Sequence, residues 1–277
     1  MPVNLLYCEG GPKSPDIRTV FAVLAGVCVV EPVGGKYGFG QRIRLAREIK
    51  IGTVAGLRDR DFDDEDLTIH DKPREWRVEA GRVWLGWYWE RNTIENYLID
   101  PAIVARALGS KAPPVAGYQA ALRSSAESIA DYTAARFALS RSRLHFSPLD
   151  NAWGPERGSD HHPFPADRNE AECRRAIGDI VRQHQVEQTA NEAEVMSKFD
   201  EFLPTCRPPG VRFRNFLTYF SGKDLLFGME TALIGFGFAS PFEFRERVLK
   251  GLEYSPEDVW TWLPEWSRLR ELVRSFS

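Results

Sequence analysis

Short apolar runs alternate with amphipathic segments over residues 1–60, and this alternation restricts the fold more than any other feature of the chain. The apolar runs are Val3 to Cys8, Val27 to Val30 and Ile51 to Leu57. The segments between them have the apolar spacing of helices. Short hydrophobic strands that alternate with helices predict βαβ units and a parallel sheet. In such sheets, functional residues gather beyond the carboxyl ends of the strands.

The two helices between these strands are predicted at residues 16–24 and 40–49. Ser14 is a suitable N-cap for the first helix, because its hydroxyl can accept a hydrogen bond from the first turn. The second helix is predicted to turn its apolar residues inward and its arginines outward. Its predicted inward residues are Ile43, Leu45, Ala46 and Ile49.

The rest of the chain changes from strands to helices. Residues 76–78 and 83–89 predict a hairpin about Ala80 and Gly81. From Pro101 onward the pattern is mostly helical, so we expect an α/β core over residues 1–100 and a largely α-helical region over 101–277. The predicted helical segments are 92–98, 118–139, 169–185, 191–202, 242–251 and 265–276.

Composition narrows the class of protein. The chain has 277 residues, of which 43% are hydrophobic, and this is enough for a substantial core. A net charge of −3 gives no overall attraction for nucleic acid, so binding of that kind would need local basic patches. The candidate patches, each of which has an alternative interpretation as an ordinary solvated face, are Arg42, Arg44, Arg47 and Lys50, then Arg141 with Arg143, Arg174 with Arg175, and Arg212 with Arg214.

The cysteines and the apolar runs indicate in which cellular compartment the protein is expected. The four cysteines are widely separated and form no Cys-x-x-Cys pair, which argues against a zinc site. No signal peptide and no apolar run long enough to span a bilayer is found. We therefore expect a cytoplasmic protein with reduced thiols and no membrane association.

An acidic stretch, residues 57–66, directly follows the third predicted strand. Asp59, Asp61 and Asp63 alternate, so their side chains would share one side if the strand continued through them. Carboxylates gathered in this way suit a hard divalent cation such as Mg²⁺. The alternative is a solvated acidic loop. An EF-hand loop counted from Asp59 is excluded, because it lacks the glycine at position six and the glutamate at position twelve.

Polar groups follow all three strands and are predicted to reach one edge of the sheet. Glu9 ends the first strand, Lys36 follows the second, and the aspartates follow the third. Gly34-Gly35-Lys36 is not a P-loop, because the first glycine and the final hydroxyl residue of that motif are absent. Gly38-Phe-Gly40 likewise lacks the third glycine of a dinucleotide fingerprint.

Together these phrases resemble the Toprim domain, and more closely the Toprim proteins of the DUF4435 family, which is related to the nuclease half of the OLD proteins. The family includes the toxin subunit of the PARIS anti-phage system. The resemblance covers residues 3 to 100 and the segment 221–226, and the chain departs from the family by inserting Gly11-Pro12-Lys13 before Asp16. The phrases that carry it are Tyr7-Cys-Glu9-Gly10, Gly34-Gly35-Lys36, Asp59-Arg-Asp61-Phe-Asp63, Ile94-Glu95-Asn96-Tyr97-Leu98 and Ser221-Gly222-Lys223-Asp224-Leu225-Leu226.

The resemblance implies a Toprim-like parallel sheet and roles for individual residues. Glu9, Asp59 and Asp61 would hold one or two Mg²⁺ (or Mn²⁺) ions, with Asp16 as a further ligand. Lys223 would stabilise charge that develops on the phosphate, and Lys36 with Gly35 would contact the substrate backbone. Both lysines have an alternative interpretation as ordinary solvent-facing residues.

Three further features of the sequence each have two possible interpretations. Glu95 is either a further metal ligand or a structural carboxylate at a helix N-terminus. The aromatic cluster at residues 84–89 either stacks bases or packs in the core. The loop Asp160-His161-His162 either binds metal or is an ordinary surface loop.

For function, the resemblance implies a metal-dependent endonuclease that acts as the effector of an anti-phage system. An ABC- or AAA-type ATPase subunit would sense the phage and activate it, and the substrate would be RNA, specifically tRNA, or DNA. A homodimer would suit the cutting of two strands or of a folded RNA. The rival hypothesis is a non-catalytic module of the same fold that docks to a partner or to nucleic acid. A topoisomerase or primase fits less well, because no accessory domain is recognisable.

Overall fold

The structure, a computed structural model, forms two compact units. The sheet unit comprises Met1–Arg60, Thr68–Ala112 and Arg245–Ser277, and the helical unit comprises Asp61–Leu67 and Pro113–Phe244. No helix in the described ranges is both long and apolar enough to cross a membrane. The structure describes residues 2–35, 38–49, 52–62, 66–78, 81–141, 149, 164–165, 167–184 and 191–276, without the side chains of 183 and 184.

The sheet has five strands in the order β2-β1-β3-β5-β4. β1 pairs in parallel with β2 and β3, and β3 pairs in parallel with β5. Only the edge strand β4 is antiparallel, to β5, as the predicted hairpin requires. The predicted α/β class with a mostly parallel sheet is therefore confirmed. The strands are β1 (Val3–Cys8), β2 (Val29–Pro32), β3 (Thr53–Arg58), β4 (Arg74–Val78) and β5 (Val83–Tyr88).

Helices α1 (Pro15–Val23) and α2 (Phe39–Ile49) connect the first three strands. The Ser14 hydroxyl caps α1 as predicted, accepting a hydrogen bond from the Ile17 backbone N–H at 3.4 Å. In α2 the prediction is half wrong. The helix buries Phe39, Ile43 and Ala46, which lie one and two turns apart on one face, whereas two predicted core residues are exposed, Leu45 at 58% and Ile49 at 80%.

The end of the chain belongs to the sheet unit. α3 (Glu95–Leu98) and α4 (Pro101–Leu108) follow the sheet, and α13 (Pro241–Glu253) and α14 (Pro264–Ser275) close the chain. Arg18 of α1 binds Glu246 and Glu253 of α13 at 2.7 and 2.6 Å. These long-range pairs explain why the compact sheet unit extends beyond the predicted core of residues 1–100.

The aromatic cluster after β4 is mainly part of the core. Trp87 and Trp89 are buried. Trp84 stacks on Phe276 with ring centroids 4.0 Å apart. Tyr88 is half-buried on β5 and contacts an arginine of the sheet. Core packing therefore accounts for three of the four rings.

The helical unit is built around α6. The predicted single helix over residues 118–139 is two helices, because the chain turns at Ile129 (φ −110°, ψ 10°) without a glycine or proline. All residues of α6 except Asp131 are buried, and its alanines allow close packing. The loop Asp160-His161-His162 lies outside the described residues. The helices are α5 (Val115–Ser128), α6 (Ala130–Ser140), α7 (Glu170–His184), α8 (Glu192–Cys206), α9 (Val211–Arg214), α10 (Phe216–Tyr219), α11 (Gly222–Gly228) and α12 (Glu230–Gly235).

Two facing glycines allow β3 and β5 to approach closely on the α2 side of the sheet. Gly86 has a φ of 151°, and a Cβ added to it would overlap the backbone nitrogen and carbonyl oxygen of Gly56. A Cβ on Gly56 would lie 2.9 Å from the indole of Trp76, which reaches across from β4. The Trp76 ring therefore occupies the space that a side chain on Gly56 would fill.

We expect Gly86→Ala to lower the free energy of unfolding by about 2–4 kcal/mol, because the methyl group meets backbone that cannot rotate away. Denaturant unfolding measures the change. Gly11→Ala is the matched control, since a Cβ there meets no described atom within 4 Å, and we expect a change of at most about 0.5 kcal/mol. Equal stability of the two variants would contradict this account of the strand contact.

Candidate active site

Glu9 and Asp59 meet at the carboxyl ends of β1 and β3. Cys8, the last residue of β1, is opposite Leu57, and β3 ends one residue later at Arg58, so Glu9 and Asp59 each directly follow their strand. The Glu9 backbone N–H donates to the Leu57 carbonyl at 3.1 Å. The Glu9 carboxylate oxygen Oε2 accepts a hydrogen bond from the Asp59 backbone N–H at 3.3 Å. Glu9 is half-buried and Asp59 is 7% exposed.

Asp16 reaches the same place from the first turn of α1. A Cβ on Gly10 would lie 3.1 Å from the Asp16 carboxylate, so this side chain lies against the Glu9-Gly10 turn. The pKa of the Cys8 thiol reflects the closeness of these acidic side chains. Burial raises its pKa well above the ordinary value, and the negative charges of Asp16, Asp59 and Glu9 raise it further. We call Glu9, Asp16 and Asp59 the carboxylate cluster.

The loop after β2 is fastened to the Glu-Gly turn. Gly10 and Gly34 exchange two backbone hydrogen bonds of 2.7 and 2.9 Å, which form an isolated antiparallel bridge. Gly34 has a φ of 82°, a conformation that glycine adopts without strain. Gly35 follows it and is exposed. Lys36, the predicted phosphate contact, lies outside the described residues.

Asp61 does not continue the strand, so the condition under which the alternating aspartates would share one side is not met. β3 ends at Arg58, and Asp61 stands in a turn with a left-handed φ of 51°. Asp59 and Asp61 therefore do not share a strand face, although aspartate tolerates this conformation better than most residues. Asp63 lies outside the described residues. In the compact division of the chain, Asp61 opens the segment that belongs to the helical unit.

The arginine between the two aspartates anchors the turn, a role that the sequence analysis missed. Arg60 is 2% exposed, and its Nη1 donates to the backbone carbonyl of Glu90 at 2.9 Å and approaches the Glu90 carboxylate at 3.5 Å. Arg74 binds the same carboxylate, with Nη2 3.0 Å from Oε1. One buried carboxylate therefore balances two arginines directly behind Asp59.

We expect Glu90→Ala to lower the free energy of unfolding by about 3–5 kcal/mol, because it leaves two largely buried guanidinium groups without their carboxylate. Glu75→Ala is the control on the adjacent strand, since Glu75 forms an exposed pair with Arg77 at 2.7 Å. Its loss should change stability by at most about 0.5 kcal/mol. Chemical denaturation of both variants measures the difference, and a mild effect of Glu90→Ala would refute the anchoring role.

A second buried carboxylate ties the last helix to the same turn. Glu265 of α14 accepts hydrogen bonds from the Glu90 backbone N–H at 2.8 Å and from the Tyr97 hydroxyl at 2.6 Å. Burial raises the pKa of Glu265 to about 7, against the opposing effect of these two hydrogen bonds. Tyr97 is also fully buried, and burial raises its pKa as well.

The raised pKa of Glu265 predicts a stability that falls with pH. The folded state holds a proton that the unfolded chain has released, so the stabilisation is complete below about 4.5 and is lost as the pH rises through about 7. We expect this carboxyl to account for a decrease of up to about 3 kcal/mol in the free energy of unfolding over that range.

The measurement compares unfolding free energies at about pH 5 and about pH 8 in the wild-type protein and in Glu265→Gln, which cannot titrate. The control is Glu271→Gln, an exposed carboxylate on the same helix with 61% of its side chain accessible. The control should keep the wild-type slope with pH. If Glu265→Gln also keeps it, the assignment is wrong.

Glu95 and Lys223 are the remaining predicted site residues. Glu95 is 1% exposed on α3 and pairs with Arg245 at 3.3 Å, an arrangement that favours the structural interpretation. Lys223 is half-buried in the helical unit, in the first turn of α11. Its neighbours are structural, since Ser221 caps α11 and Asp224 is buried against Arg136 at 2.6 Å.

Comparison with known proteins adds no assignment: no family model matches the chain, and no curated protein is significantly similar to it. Within the described ranges, no three His, Cys, Asp or Glu side chains are placed to share one metal ion. The donor set of the carboxylate cluster nevertheless fits Mg²⁺, which prefers oxygen ligands and is usually held by one or two carboxylates while keeping several waters. Glu9 and Asp59 are the two members of the cluster that a hydrogen bond joins, from the Asp59 backbone N–H to Glu9 Oε2.

Proposed function

We propose that the protein is a Mg²⁺- or Mn²⁺-dependent phosphodiesterase of the Toprim kind, an endonuclease whose site is centred on Glu9 and Asp59. One observation carries the proposal. The Glu9 carboxylate contacts the backbone of Asp59, a residue from a separate stretch of sequence, at the carboxyl edge of a mostly parallel sheet, with Oε2 3.3 Å from the Asp59 backbone nitrogen. This edge is where enzymes of this architecture bind their ligands.

The residues of the chain would divide the work. Glu9 and Asp59 would hold the metal ion, with Asp16 adjacent and Asp61 two residues beyond Asp59. A bound divalent ion supplies an activated water and offsets charge on the phosphate. Arg60 fixes the turn that presents Asp59, because its guanidinium is held by Glu90.

Lys223, Lys36 and Gly35 complete the proposal through the family resemblance. Lys223 would stabilise the negative charge that develops on the reacting phosphate. Gly35 and Lys36 would contact the substrate backbone, and the exposure of Gly35 next to the Gly10–Gly34 bridge supports this. The same resemblance supports a role as an anti-phage effector that is activated by an ATPase subunit and acts on tRNA or DNA.

A non-catalytic module of this fold is the second candidate. The observation in its favour is that the described residues assemble no group of three metal-ligating side chains. In this case the fold would serve to dock a partner or nucleic acid. The two candidates differ in their response to metal, since only the enzyme needs Glu9 and Asp59 for metal binding and cleavage.

The test measures cleavage of tRNA and of plasmid DNA by the purified chain with Mg²⁺ or Mn²⁺. We expect Glu9→Gln, Asp59→Asn and Lys223→Ala each to reduce the rate by at least about a hundredfold, because each removes a charge that stabilises the transition state directly or through the metal. Glu48→Gln, an exposed carboxylate on α2, is the matched control and should cleave at the wild-type rate.

Mn²⁺ binding, followed by electron paramagnetic resonance, gives a second readout that does not require activity. Glu9→Gln and Asp59→Asn should weaken Mn²⁺ binding, whereas Lys223→Ala should leave it unchanged. Wild-type rates of cleavage in Glu9→Gln would refute the proposed site. A wild-type protein that binds no Mn²⁺ would favour the non-catalytic module.

A further inference from the structure

Arginines and aromatic rings interleave on the face of the sheet that α2 covers. Arg42 of α2 lies over the ring of Tyr7, with its guanidinium carbon 5.1 Å from the centroid. Arg58, the last residue of β3, lies over Trp76 at 5.1 Å and over Tyr88 at 5.5 Å. We call these five residues the arginine–aromatic strip.

The sheet register places the strip on a single face. Tyr7 is opposite Gly56, and Arg58 is opposite Tyr88. Side chains two residues apart on a strand share a face, so Arg58 emerges on the same side as Tyr7. From strand spacing and rise, the Cα atoms of Tyr7 and Arg58 are about 8 Å apart.

The strip borders the carboxylate cluster. Arg58 directly precedes Asp59, and Tyr7 precedes Cys8 and Glu9. Arg42 is exposed, and Arg58, Trp76 and Tyr88 are half-buried. Tyr7 is buried in the core with 4% of its surface exposed, so it supports Arg42 and does not itself face a ligand. A polyanion lying along the strip would therefore approach Glu9 and Asp59 from one side.

Arg47 shows what a structural arginine on the same helix does. Its guanidinium donates to the backbone carbonyls of Val54 and Trp84 at 2.8 and 2.7 Å, so it binds α2 to the backbones of β3 and β5. Burial lowers its pKa. Arg42 instead is exposed, and its guanidinium carbon lies over the Tyr7 ring. Stacking holds such a group in place while its edge N–H groups can still donate to a phosphate.

We propose that the arginine–aromatic strip binds the sugar–phosphate backbone of single-stranded nucleic acid and directs it to the carboxylate cluster. The delivery of the nucleic acid to the carboxylate cluster rests on the proposed function. The binding itself does not. The chain carries a net charge of −3, so attraction for a polyanion has to come from a local basic surface. Aromatic side chains beside arginines are the usual elements of sequence-tolerant single-strand sites.

The experiment measures binding of a fluorescein-labelled oligouridylate, and of its oligodeoxythymidylate counterpart, by fluorescence anisotropy in EDTA over a range of salt concentrations. We expect Arg42→Gln and Arg58→Gln each to weaken binding and to reduce the slope of log K against log salt by about 0.7, with about 1.4 for the double variant. Arg58→Lys should keep the slope but bind more weakly, because an ammonium group does not stack as a guanidinium does.

Arg274→Gln, which removes an exposed arginine of α14, is the matched control and should bind as the wild type does. Arg42 is exposed, so its variant keeps the test valid if Arg58→Gln unfolds. Equal binding of RNA and DNA would assign the contacts to phosphate, whereas a preference for RNA would add contacts to the 2′-hydroxyl. The proposed binding role of the strip would be overturned if both arginine variants kept the wild-type affinity and slope. It would also be overturned if the wild-type protein did not bind the oligonucleotides.

The outcome is separable from that of the proposed function. If binding depends on the strip but no metal condition gives cleavage, the proposed hydrolytic activity is refuted and the proposed binding role of the strip stands. Cleavage that depends on Glu9, with unchanged binding in Arg42→Gln and Arg58→Gln, would refute the strip and keep hydrolysis.

Discussion

The buried Glu90 carboxylate is the interaction on which the candidate site depends. It lies two residues beyond β5 and pairs with the buried Arg60, the residue that follows Asp59. Arg74 of the edge strand β4 binds the same carboxylate, and the Glu90 backbone N–H donates to Glu265 of the last helix. Elements distant in sequence thus meet around Glu90, because ions removed from water need close partners.

The elements that can be predicted from the sequence are those whose pattern is local. The strands, their alternation with helices and the Ser14 cap follow from apolar spacing and capping chemistry. The placement of Glu9 and Asp59 at one edge follows from the geometry of a parallel sheet. The wrong assignment of core residues in α2 also has a local cause. Phe39 in the first turn belongs to the buried face of the helix, and Leu45 and Ile49 lie outside that face and are exposed.

What could not be predicted depends on contacts distant in sequence. The break at Ile129 carries no glycine or proline, so packing of the helical unit decides it. Arg60 looked like a spacer between two aspartates, and its partner Glu90 is thirty residues away. β3 ends at Arg58 and Asp61 stands in a left-handed turn, so the strand does not continue through the alternating aspartates. A charged residue between two acidic residues, followed later by a lone glutamate after a strand, was the available signal for this network.

The close approach of β3 and β5 also limits how this surface can change in evolution. Gly86 meets backbone atoms, so no substitution elsewhere can make room for a side chain there. Gly56 instead meets side chains, chiefly those of Ile43 and Trp76. Positions 56 and 76 are therefore expected to covary, with a larger residue at 56 accompanied by a smaller one at 76. Such an exchange would also remove one of the two rings that Arg58 lies over. A change in core volume at position 56 would therefore alter the surface chemistry around Arg58.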